Sequence, residues 1–70
     1  MFATIDGYLY PCLPVSWNRV RVPMQYARAF ESKRVAGGPI SIDGRSCYVA
    51  DIVSAIEERS GEVEVKLLYC

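Results

Sequence analysis

Residues 41–60 read SIDGRSCYVADIVSAIEERS, and the way this stretch is taken decides the architecture. Asp43-Gly44 is a tight-turn signal between two extended runs. Beyond it, winding residues 47–59 at 100° per residue gathers Tyr48, Val49, Ile52, Val53, Ala55 and Ile56 on one side, with Asp51, Ser54, Glu57 and Glu58 opposite. Ser46 stands where an N-cap is wanted and Gly61 where a helix can close. The rival reading continues the hairpin into a long strand rich in β-branched residues, as in a small SH3-like β-barrel. Strict alternation then sets Asp51 in the row of Cys47, Val49 and Val53, and a carboxylate in a core row carries a heavy desolvation penalty. The sequence therefore predicts an amphipathic helix over residues 47–59.

The flanking residues supply strands. Before the turn, Ile40 to Ile42 is a short extended run, and after it Glu62 to Tyr69, EVEVKLLY, alternates polar and apolar. A second Asp-Gly pair, Asp6-Gly7, predicts a hairpin between strands near Phe2–Ile5 and Tyr8–Cys12. The shared letters of TIDG and SIDG read as two independent uses of good turn chemistry rather than a duplicated domain. LPVSWN, with a proline and no clear period, reads as a loop or irregular edge segment anchored by Trp17.

NRVRVP then gives a strand with Val20 and Val22 inward and Arg19 and Arg21 outward. Pro23 opens a helix through PMQYARAFESKRVAGG, with basic residues at its end, a glycine stop, and Tyr26, Ala27 and Phe30 as its inward stripe. Together these elements predict one α+β domain over residues 1–70, a mainly antiparallel sheet of four to five short strands with two helices on one face.

Outward arginines in RVRV and outward glutamates in EVEV are complementary. If the two strands are neighbours, Arg19 and Arg21 meet Glu62 and Glu64 across the exposed face, selecting register more than supplying stability.

Composition bounds the function. A chain of 70 residues buries only about 60% of its unfolded surface, so its core is small and a partner could add burial. Net charge is zero, yet residues 1–47 carry six basic and three acidic side chains and residues 48–70 two and five. The longest uncharged stretch, residues 7–18, contains two prolines and is far short of the roughly 20 apolar residues of a membrane helix. No export signal opens the chain, so a cytoplasmic location is expected. Cys12, Cys47 and Cys70 are too few and too scattered for a disulfide framework, and without histidine neither a metal site nor a cofactor is expected.

The absence of histidine also removes Ser-His and Cys-His couples, and no phosphate-loop pattern occurs, so no enzymatic activity is expected. Cys47, at the start of the predicted helix, is the one arguable nucleophile, against burial as a small apolar residue. The function expected is protein binding by surface contact, as an inhibitor, adaptor or assembly subunit of the kind phages and mobile elements carry, or as a homodimer. Its contact residues are Tyr8, Tyr10, Leu13, Trp17, Arg19 and Arg21, types enriched at interface hot spots together with one aliphatic neighbour. The alternative is a nucleic-acid-binding module in which Arg19, Arg21, Arg28, Lys33, Arg34 and Arg45 meet the backbone and Tyr8, Tyr10 and Trp17 stack on bases.

Overall fold

A computed structural model describes residues 1–54 and 61–69. Within them the chain forms seven strands and one long helix: β1 (Phe2–Ile5), β2 (Tyr8–Pro11), β3 (Leu13–Ser16), β4 (Arg19–Pro23), a 3-10 turn (Met24–Tyr26), α1 (Ala27–Ala36), β5 (Pro39–Ile42), β6 (Arg45–Ser54) and β7 (Glu62–Tyr69). The strands make one antiparallel sheet in the order β2-β1-β5-β6-β7-β4-β3. β2 and β3 stand at opposite ends of that order but are separated in the chain by Cys12 alone. Consecutive Cα atoms are about 3.8 Å apart, so the sheet must coil until its two ends meet at that cysteine.

Both Asp-Gly turns form as predicted. Ile5 pairs with Tyr8 around Asp6-Gly7, and Ile42 pairs with Arg45 around Asp43-Gly44. In each, both central residues have positive φ, 51° and 85° in the first and 47° and 85° in the second, which is the two-residue geometry that matches strand twist. The second turn is also tied to β1: Phe2 N–H donates to Asp43 Oδ1 at 3.0 Å, and Asp43 N–H to the Phe2 carbonyl at 3.1 Å. Replacing Gly44 with alanine should cost about 1–2 kcal/mol, because a Cβ disfavours the left-handed region. Thermal melts of Gly44→Ala and Gly7→Ala read this directly, and an unchanged melt would show that the turns are not held in that conformation.

The predicted helix over residues 47–59 is corrected by β6. Residues 47–54 are strand, and residues 55–59 lie outside the described residues. A β-bulge removes the objection to the strand: the register runs Val49 opposite Leu67 and then Asp51 opposite Lys66, so Ala50 and Asp51 together oppose one residue. The extra residue reverses the phase. Cys47 and Val49 face the core, Asp51 turns outward toward Lys66 and takes the Ile52 N–H at 2.8 Å, and Ile52 returns to the row of buried Val65.

Two further expectations change with it. The sheet has seven strands instead of four to five, and one long helix accompanies it among the described residues. Leu13–Ser16, read as a loop or irregular edge segment, is an end strand paired with β4, with its irregularity between Pro14 and Ser16.

The core occupies the sheet's inner face. Ala3, Ile5, Val20, Val22, Ile40, Ile42, Cys47, Val49, Val63, Val65 and Leu67 are buried there, in the period of two that each strand's sequence carries. α1 packs against β6 and contributes the fully buried Phe30, with Tyr26, Ala27 and Ala29 partly buried beside it. The helix ends at Gly37, φ 72°, whose N–H returns to the Lys33 carbonyl at 2.9 Å. The preceding 3-10 turn is fixed by Met24 N–H donating to the Gly61 carbonyl at 2.7 Å.

Candidate functional site

The segment between the first Asp-Gly turn and β4 concentrates five exposed large apolar side chains. Tyr8 is 69% exposed, Leu9 68%, Leu13 58%, Val15 44% and Trp17 80%. Local chemistry explains why. β2 and β3 are the terminal strands of the order, so each has a ladder partner on one side only, and β3 is exposed at all four residues. Trp17 and Asn18 form a two-residue turn between Ser16 and Arg19, braced by a Ser16 hydroxyl to Asn18 Oδ1 bond of 3.1 Å and by Leu67 N–H donating to the Asn18 carbonyl at 2.7 Å. The indole thus projects from a turn anchored on both sides.

Tyr10 takes a different place. It is half-buried, with its ring edge-on to Tyr26 at 5.3 Å and to Phe30 at 6.0 Å, so it joins the terminal strand β2 to the helix. Of the six residues expected to make contacts, Tyr8, Leu13 and Trp17 lie on the exposed segment, and Arg19 and Arg21 follow on the outer face of β4.

The arginine-glutamate complementarity is realised between neighbouring strands. β4 pairs with β7, and Arg21 stands opposite Glu64 while Arg19 reaches it diagonally, Nη1 to Oε1 3.7 Å. Glu62 stands opposite Pro23. The Arg19–Glu64 pair is half-exposed, so it is worth about 0.2–1 kcal/mol. Glu64→Lys should therefore lower the melting temperature by a few degrees, and Arg19→Glu in the same chain should recover most of the loss. A double-mutant cycle with no coupling would refute the pairing.

The remaining cations are distributed over the molecule. Lys33 Nζ lies 2.8 Å from Asp6 Oδ1, which ties α1 to the first hairpin turn. Arg34 Nε donates to Glu31 Oε2 at 3.0 Å, one turn earlier on the same helix, and this bond holds the Glu31 carboxyl below its ordinary range. Arg45 sits over the Tyr69 ring, 4.4 Å from its centroid. Arg28 is exposed on α1. Among the described residues, neither Arg21 nor Arg28 has an ion-pair partner.

Beside Arg21 the coiling of the sheet leaves a groove of about 180 Å³, lined by Pro11, Cys12, Leu13, Arg21, Pro23 and Glu62. Its walls are the two prolines and Leu13. The Cys12 thiol is buried, and that burial pushes its pKa up, against the opposing pull of the N-terminal ammonium. Cys12 is therefore a protonated, weakly nucleophilic thiol at neutral pH. Cys47 is fully buried near the start of strand β6, which removes the helix N-terminus that argued for its reactivity.

The groove, Leu9 and Val15 were not singled out in the sequence. Only the meeting of β2 and β3 at Cys12 brings Pro11 to Pro23, and no local period signals a contact of that range. A further exposed apolar pair, Tyr48 opposite Leu68, lies on the outer face of β6 and β7. No helix among the described residues is long and apolar enough to cross a membrane. In comparison with known proteins, no family model matches the chain, and neither does any curated protein or solved structure.

Proposed function

We propose that the chain is a protein-binding module, an inhibitor, adaptor or assembly subunit of the cytoplasm that acts by surface contact through β2, β3 and the Trp17 turn. The observation carrying this reading is the 80% exposure of Trp17 on a braced turn, continuous with exposed Leu13 and Val15 on a terminal strand. Tryptophan is the residue type most enriched at interface hot spots. Leaving it in water beside two aliphatic side chains gains the monomer nothing, whereas covering it on a partner would remove a large apolar area from solvent. The joining of β2 to β3 at Cys12 favours the barrel-like alternative for the sheet over a flat layer. It also gathers both terminal strands at one place. An accessory role in a phage or mobile element suits the size of the chain and rests on size alone.

Nucleic-acid binding is the second reading. What favours it is that Arg21 and Arg28 lack ion-pair partners among the described residues. Against it, Arg19, Lys33 and Arg34 face carboxylates and Arg45 faces a ring, so four of the six cations of this reading are already engaged by groups of the chain itself.

Affinity capture from the native host, with and without nuclease, separates the two. The module reading expects one protein recovered regardless of nuclease, and lost when the bait carries Trp17→Ala or Leu13→Asp. Truncating a hot-spot tryptophan should weaken binding by about 2 kcal/mol or more, roughly 30-fold. A recovery indifferent to both substitutions overturns the reading. Fluorescence anisotropy with labelled single- and double-stranded oligonucleotides at low salt tests the alternative, which a flat titration removes.

A further inference from the structure

The exposed tryptophan and three residues of the groove, Leu13, Arg21 and Pro23, belong to one hairpin, β3–β4, and this juxtaposition says what could cover both. We infer that the partner on this surface is a second copy of the chain, each copy inserting Trp17 into the groove that Pro11, Cys12, Leu13, Arg21, Pro23 and Glu62 line on the other. The inference rests on the protein-binding reading and names its partner.

Size comes first. At about 180 Å³ the groove is smaller than the roughly 300–1,000 Å³ of sites that take small molecules or cofactors. It has room for a single large side chain, and its prolines and Leu13 suit an aromatic one. Charge points the same way. Arg21 borders the groove without an ion-pair partner among the described residues, and a guanidinium within about 6 Å of an indole face is attracted to its quadrupole. An indole therefore satisfies the apolar walls and the cation together. An aliphatic side chain would satisfy only the walls.

Geometry then makes the arrangement reciprocal. Trp17 and Arg21 are four residues apart on the same hairpin, at most about 14 Å along the chain. Two hairpins laid antiparallel about a two-fold axis set the knob of each against the hole of the other, as a self-complementary interface requires. Leu13, 58% exposed on the wall of the hole, and its neighbour Val15, 44% exposed, would be covered in the same contact. With zero net charge, two copies approach without mutual repulsion. Pro14 removes a backbone donor from β3, which disfavours joining the copies by strand addition and leaves side-chain docking.

Sedimentation equilibrium of the full chain from micromolar to millimolar concentration tests the inference, together with the emission of Trp17, the chain's one tryptophan. The expected result is a monomer–dimer equilibrium in which emission shifts to the blue as dimer forms. Trp17→Ala, which has no knob, and Leu13→Lys, which blocks the hole, should each raise the dimer dissociation constant by about 30-fold or more. Circular dichroism confirms that both variants are folded. Mixed together, these two variants should associate more tightly than either does alone, because the mixed pair restores one of the two insertions. A chain that stays monomeric at millimolar concentration overturns the inference. So does a dimer indifferent to Trp17→Ala, or a mixture no tighter than its components. If the monomer nonetheless captures a different protein in a Trp17-dependent way, the module reading stands and only the identity of the partner falls.

Discussion

Phe30→Ala is expected to remove about half of the chain's stability. Truncating a buried phenylalanine costs about 3–5 kcal/mol, and a chain of 70 residues has a total stability of roughly 4–10 kcal/mol. Phe30 is the fully buried side chain of α1. It holds the helix against the inner face of the sheet, and its ring is 6.0 Å from that of Tyr10 on the terminal strand β2. Losing it should loosen the helix and the end of the sheet together. Urea unfolding followed by circular dichroism measures the loss, with Phe30→Leu, which keeps an apolar side chain of intermediate size, expected to cost clearly less than the alanine variant. A cost below about 1 kcal/mol for the alanine variant would mean that the helix is not docked through this ring.

The elements legible in the sequence are those whose signal is local. Asp6-Gly7 and Asp43-Gly44 fix both hairpins because a two-residue turn needs residues that accept positive φ. The inward valines of RVRV and EVEV are buried, and their strands are neighbours, because side-chain alternation and charge complementarity are read from a few residues. Tyr26, at the end of the 3-10 turn, and Ala27 and Phe30 of α1 face inward for the same reason. The long strand β6 was hidden. Its residues satisfy a helical period as well as a broken strand period, and the break at Ala50 is visible only against β7, whose residues supply the register. β3 was hidden by Pro14, which a terminal strand tolerates at a position that would break a central one. Of the candidate surface, Tyr8, Leu13 and Trp17 stand out in the sequence by residue type. The groove does not, since it depends on the two ends of the strand order meeting at Cys12.

Val49→Asp should unfold the chain, whereas Val53→Asp should be tolerated, although strict alternation puts both residues in one row. The bulge separates them: Val49 is 7% exposed opposite buried Leu67, and Val53 is 47% exposed opposite Glu64. An ionised carboxylate at the first position loses its hydration among apolar neighbours, at an effective cost of several kcal/mol, comparable with the whole stability of a domain this size. At the second it remains in water, at the price of some repulsion from Glu64, within about 1 kcal/mol. Asp51→Val, on the outward side of the bulge, should change stability little. A pH series adds a check of sign. Burial would raise the introduced carboxyl at position 49 above its unfolded pKa of about 3.9, so the folded state binds the proton more tightly than the unfolded one. The deficit of Val49→Asp relative to the parent should therefore shrink as pH falls from neutrality toward the unfolded value, while that of Val53→Asp should hardly move. Equal losses at both positions would place them on one face, and the extra residue at Ala50 would then have no part in setting the phase of β6.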